Sequence, residues 1–361
     1  MSIIPHTKRG LRSIPTCDED LKTIMRTCTH SRKGRNFGPL RRALAISALL
    51  AFSACSSVPP PPKLSVAPGT FSATMAEAHL SALANLGPRW PGSEKQADAR
   101  AYVARELAVF GAEVLPEMSS RRGHLVARIR GRSTDQVLVV LPLASLGSMS
   151  WIDDSGLALG MELARVFGAR ANAYELVLVF AAVDAPREQG ASDHDSEGEG
   201  FVEIESPSEA RQLIAAAGEA LLEALEAIDG VDVLAARAVI VIEPQAHHTM
   251  RIARDLPSHP VFRDLFWETA SALGHTATFP EDGAWASPIG LQGAFRSAGI
   301  GRLLAVVDES TILASRVARV PDQQAGKGSD ASARLAPLGS VTFKALTRLM
   351  ERFERIDAFS E

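Results

Sequence analysis

No cysteine follows Cys55 in this chain of 361 residues; the three present are Cys17, Cys28 and Cys55. A fold built from the remainder has neither a disulfide nor a thiolate metal ligand, so any metal would rest on His, Asp and Glu. No histidine follows His275, which leaves the carboxyl-terminal part without an imidazole. Excess charge of one sign is also missing: 38 Lys and Arg stand against 42 Asp and Glu, a formal net charge of −4. That balance gives no electrostatic reason to expect a nucleic acid partner. No apolar run reaches the roughly 18 residues of a spanning helix; the longest, Ala43 to Ala54, has about 12. No Gly-x-Ser-x-Gly elbow occurs, which argues against a serine hydrolase although Ser145 and Ser155 are present. What is there is a globular composition, 46% apolar and 22% charged. The length suffices for one large domain or two ordinary ones with ample core.

The amino-terminal part reads as an export signal. Arg26, Arg32, Lys33, Arg35, Arg41 and Arg42 precede the apolar run Ala43 to Ala54, and Cys55 follows. That is a basic region, an apolar region and a small-residue cleavage site. Phe52-Ser53-Ala54-Cys55 resembles a bacterial lipobox, with Phe52 where Leu is usual. Cys55 is then the expected lipidation site, and the membrane a partner through that anchor. Ser56 in the next position resembles lipoproteins sent to the outer membrane. An ordinary signal peptide with an incidental Cys is the alternative. Asp18, Glu19 and Asp20 are unusual ahead of such a signal, so translation is expected to start near Met25. This leaves residues 1–55 as extension plus signal, 56–69 as a Pro-rich tether around Pro59 to Pro62, and 70–361 as one domain.

In the body, apolar spacing predicts helices over Thr70–Leu86, Ser93–Val109, Ser155–Phe167, Pro207–Ile228, Val261–Leu273 and Leu338–Phe359. Strands are predicted at Leu125–Ile129, Val137–Leu143, Glu175–Val183, Ala238–Ile242 and Leu303–Val307; several are continuous apolar runs suited to burial on both faces. Alternation of the two implies an α/β class: a three-layer α/β/α sandwich around a mixed, mostly parallel sheet. The stretch 185–206, with Asp193-His194-Asp195 inside it, reads as a solvated acidic loop, with a metal- or partner-binding loop as the alternative.

Several segments in order carry a resemblance. They are His79 to Glu94 (with Gly87-Pro88-Arg89 and Gly92-Ser93), Ala99 to Val114, Leu125 to Gly131, Asp153-Asp-Ser-Gly to Arg165, and Phe295-Arg-Ser-Ala-Gly-Ile300. Together they resemble the co-catalytic zinc exopeptidases: metallo-aminopeptidases, glutaminyl cyclases and glutamate carboxypeptidase relatives. The resemblance implies two zinc ions at the carboxyl ends of the strands. Their ligands run His, bridging Asp, Glu, Asp or Glu, His, with a general-base Glu just before the ligand Glu.

On this chain the resemblance finds most of that set replaced. Pro142 stands for the first His and Ala144 for its orienting Asp. Asp153 takes the bridging position, with Asp154 as its rival. Asp184 takes the base position on a shorter arm, and Ala185 that of the ligand Glu. Glu243 fits the fourth ligand, and Gly290-Leu291-Gln292 stands where Ser-Asp-His is usual. His247 and His248, close after Glu243, and His194 are candidates for rebuilding the site; His79 and His124 read as packed or surface residues. Zinc needs about four donors, so two vestigial acids alone would hold it weakly. The expectation is an inactive, aminopeptidase-like lipoprotein of the bacterial envelope that binds a peptide or an envelope protein. No cofactor is expected; zinc is required only under the alternative, an active metallo-aminopeptidase with a non-standard site.

Overall fold

The computed structural model describes residues 62, 64–87, 94–115, 124–143, 154–182, 207–243, 250–282, 290–309 and 331–360, with backbone alone over 207–214. The chain divides into units 1–56 and 57–361, and all described residues belong to the second. Cys55, Asp153, Asp184, His194, His247, His248 and the acidic stretch 185–206 lie outside the described residues.

Six strands form one sheet: β1 Glu113–Val114, β2 Leu125–Ile129, β3 Gln136–Pro142, β4 Glu175–Ala181, β5 Ala238–Glu243 and β6 Leu303–Val307, in the order β1-β2-β4-β3-β5-β6. β3 runs parallel to β4 and β5, and β5 to β6, while β2 is antiparallel to β1 and β4. The sheet is therefore mixed and mostly parallel. β3 and β4 lie inside the sheet and are buried at every residue, which is why both read as unbroken apolar runs.

Alternation across the pleat sorts these side chains into two cores. Val137, Val139, Leu141, Leu176, Leu178 and Phe180 face one helical layer: α1 Ala73–Ala84, α2 Glu94–Val109, α3 Ser155–Gly168, α5 Pro260–Ala272 and α7 Ala331–Ala358. Leu138, Val140, Val177 and Val179 face the other, made of α4 Pro207–Glu226 and α6 Leu291–Ser297. The result is the expected three-layer sandwich.

Helix α3 is the centre of the larger layer. Leu157, Leu159, Leu163, Val166 and Phe167 are fully buried on it. Five such side chains contribute about 10 kcal/mol gross before ordering entropy is subtracted. It can sit this close because Gly160 has no side chain: a Cβ there would come within 2.5 Å of the Phe180 ring and 2.7 Å of Leu141.

Three elements depart from the sequence pattern, the first being β1, whose two residues are too few to read as a strand. α7 begins at Ala331, seven residues before the predicted start, and carries Pro337 inside it. An interior Pro ordinarily breaks a helix, but burial of Leu335 and Leu338 on either side holds the first turns in place. α6 has only seven residues, too few to show a period in sequence.

Candidate functional site

In an open α/β sheet the carboxyl ends of the strands are where ligands gather. Here those ends carry Pro142 on β3, Ala181 and Ala182 at β4, Glu243 on β5 and Val307-Asp308 at β6. His124 joins them from the antiparallel β2, because it precedes Leu125, whose partner is Phe180. Ala182 N donates to His124 Nδ1 at 3.0 Å, so the ring proton is assigned to Nε2. His124 is buried and packed, as the sequence suggests. His79 is packed too, with Nδ1 2.7 Å from Tyr102 Oη and its ring edge-on to Phe110.

Glu243 is the one residue of the expected acidic set that the described residues include. Its carboxylate is buried, and Oε1 accepts a hydrogen bond from Leu291 N at 2.8 Å. Gly290 covers it: the residue has φ of 107°, and a Cβ there would lie 2.5 and 2.6 Å from the two carboxylate oxygens and 2.7 Å from Gln292 Oε1. Glycine is required at this turn both by its backbone angle and by the acid pressed against it. Burial pushes the pKa of Glu243 up to about 7, opposed by the Leu291 N–H and by the charge of Arg296.

Arg296 lies on the next turn of α6 and is itself engaged. It pairs with the buried carboxylate of Asp255, which also accepts from Ser258 Oγ. Ser258 Oγ in turn accepts from Ala305 N of β6 at 2.8 Å. Burial raises the pKa of Asp255, against the hydrogen bond from Ser258 and the charge of Arg296. The network ties α6 to β5 and β6. Nothing in the apolar pattern points to Arg296 or Asp255; Gly290, in the segment Gly290-Leu291-Gln292, is the signal visible in the sequence.

This architecture recurs among solved structures. A leucine aminopeptidase precursor from Bacteroides thetaiotaomicron superposes over 80% of this chain and 98% of its own, with a TM-score of 0.56 and 14% identity. A glutaminyl cyclase from an Acidobacteriales bacterium does so over 81% and 99%, with a TM-score of 0.56 and 15% identity. A Zn-dependent exopeptidase from Parabacteroides distasonis covers 78% and 99%, with a TM-score of 0.51 and 14% identity. This chain has the zinc-exopeptidase fold. At such identity the likeness is one of fold. No family model and no curated protein matches the sequence.

At the ligand positions that the sequence resemblance assigns, the described residues are Pro142, Asp154 and Glu243. Pro142, which the resemblance sets at the first ligand position, has no side-chain donor atom. Its ring instead packs on the start of α3, where a Cβ on Gly156 would meet it at 2.9 Å. Glu243 has both oxygens against the turn at Gly290 and one of them already accepting from backbone. Asp154 is buried at the N-cap of α3, without a side-chain capping bond. Among the described residues, no three His, Cys, Asp or Glu side chains gather as a metal site would require. Asp153 and Asp184 lie outside the described residues. The rise in the Glu243 pKa is caused first by burial.

Proposed function

We propose that this chain is an envelope lipoprotein, anchored through Cys55 at the outer membrane and facing the periplasm. Its zinc-exopeptidase fold has given up peptide cleavage and binds a peptide or another envelope protein. The observation that carries this reading is Glu243. The acid at a ligand position is folded against Gly290 and Leu291 as part of the architecture. Pro142 at another ligand position fills space where a donor belongs. A catalytic zinc needs several deprotonated donors and one open position, and a fold can persist after its site is gone. The lipobox-like Phe52 to Cys55 supports the anchor.

Zinc content by elemental analysis, with turnover of aminoacyl-arylamides before and after chelation, tests the reading. The expected result is zinc well below one per chain and no chelator-sensitive turnover. Stoichiometric zinc with chelator-sensitive turnover would establish the competing function, an active metallo-aminopeptidase with a non-standard site.

A further inference from the structure

The segment leading into the domain is fastened to the body. Glu162 and Arg165, one turn apart on α3, form a buried ion pair at 2.6 Å. Arg165 donates to the carbonyls of Thr70 at 2.7 Å and Ala67 at 3.3 Å. Ser72 N donates to Glu162 Oε1 at 2.6 Å. Phe71, between them, lies on α7 so closely that a methyl group at Gly339 would overlap its ring. The chain therefore leaves the fold alongside α7. Residues 56–66 in polyproline geometry would span at most roughly 34 Å.

The outer face of α7 is basic. Lys344, Arg348, Arg352 and Arg355 follow one another at steps of four, four and three residues, which aligns them on one stripe. Lys344, Arg352 and Arg355 are exposed, and none is in an ion pair with a carboxylate among the described residues. Arg348 donates to Thr269 Oγ1 and lies 3.7 Å from Glu268. Glu351 is the one acid within the stripe; Glu354 pairs with Arg132, and Asp357 with Arg237 and Tyr174. The stripe ends in two exposed apolar side chains, Ile356 at 52% and Phe359 at 91%. In the opposite layer, α4 instead exposes Glu219, Glu223 and Glu226. The exposed faces of these two helices thus differ in the sign of their charge.

A basic stripe tipped by an exposed aromatic suits the headgroup region of an anionic bilayer. We propose that the outer face of α7 docks on anionic lipid, so that the body lies down beside its own tether with α4 turned away. This rests on the lipid-anchor reading of Cys55. Tethering strengthens docking further by raising the local concentration of the stripe at the surface.

The test uses the full chain as the cell makes it, in vesicles with or without phosphatidylglycerol in a neutral lipid background. The chain has no cysteine after Cys55, so Ser360→Cys at the end of α7 and Glu223→Cys on α4 give single labelling sites in the body for a fluorophore. Quenching by nitroxide headgroup lipids reads proximity. The expected result is quenching at position 360 but not 223, only with phosphatidylglycerol, and reversal by high salt. For protein added to preformed vesicles, Lys344→Gln, Arg352→Gln and Arg355→Gln together should raise the lipid needed for half-maximal quenching about 100-fold. An unchanged melting temperature shows that the triple variant is folded. Equal quenching at both positions, or quenching indifferent to the triple substitution, overturns the proposal. So does capture of an acidic protein by the stripe while anionic vesicles are ignored. The mass of the mature amino terminus tests acylation of Cys55 separately, and added vesicles read docking whether or not acylation is found.

Discussion

Glu243 and His79 are both buried, and burial moves their pKa values in opposite directions. The Glu243 pKa, pushed up to about 7, stands above the unfolded value of 4.5. Its stabilising neutral form is fully populated below pH 4.5 in both states. Stability is then lost as pH rises from 4.5 through 7, by up to about 3 kcal/mol. Glu243→Gln keeps an acceptor for Leu291 N and removes the charge, so the variant should melt higher than the parent at pH 8 and alike at pH 4. Thermal melts at the two pH values check this; no gain at pH 8 would remove Glu243 as a destabilising buried charge. In a zinc enzyme the sign would reverse, because a ligand would be lost. His79 behaves the other way. Burial, helped by the charge of Arg165, lowers its pKa to about 4 from 6.5. Its contribution is complete above pH 6.5 and is lost as pH falls toward 4, by up to about 3 kcal/mol. His79→Phe leaves the Tyr102 hydroxyl buried without its partner, at about 1–3 kcal/mol. Denaturant unfolding should therefore show the variant weaker at pH 8, with the deficit shrinking as pH falls to 4. A deficit constant across that range would refute the assignment.

Among the elements, α3 bears on two others at once. Its inner face admits no added atom at Gly160, so Gly160→Ala should cost about 1–3 kcal/mol through displacement of Phe180. Its Glu162–Arg165 pair holds residues Ala67 to Ser72. Arg165→Ala leaves the fully buried Glu162 without its counter-charge, an effect of about 3–5 kcal/mol. It should also expose the leading segment to limited proteolysis; cleavage near Thr70 at the parent's rate would show that the clamp holds nothing. The tether predicted to run over 56–69 thus has its last residues, from Ala67, built into the fold.

For the whole molecule, stability is independent of metal if the ligand set is lost. Chelator or added zinc should leave the melting temperature at neutral pH unchanged, since a ligand shifts stability only by binding the native state. A rise with zinc that is abolished by chelator would restore the metalloenzyme. The two core layers on either side of a central sheet supply the packing that such metal-independent stability requires.

The sequence by itself determined five of the six strands, most of the helices and the three-layer class. Runs such as Val137 to Leu141 and Glu175 to Phe180 carry hydrophobic period and length, which are local properties of the chain. It also shows without coordinates that Pro142 stands where the resemblance expects a His and that no histidine follows His275. Only the tertiary structure decided what Glu243 does. Its partners, Gly290 and Leu291, stand 47 and 48 residues away, and the burial that raises its pKa depends on how α6 settles on the end of β5. The same holds for the start of α7, where long-range burial of Leu335 outweighs a local helix breaker. Local periodicity fixes elements; desolvation and contact between distant residues exist only once those elements are packed.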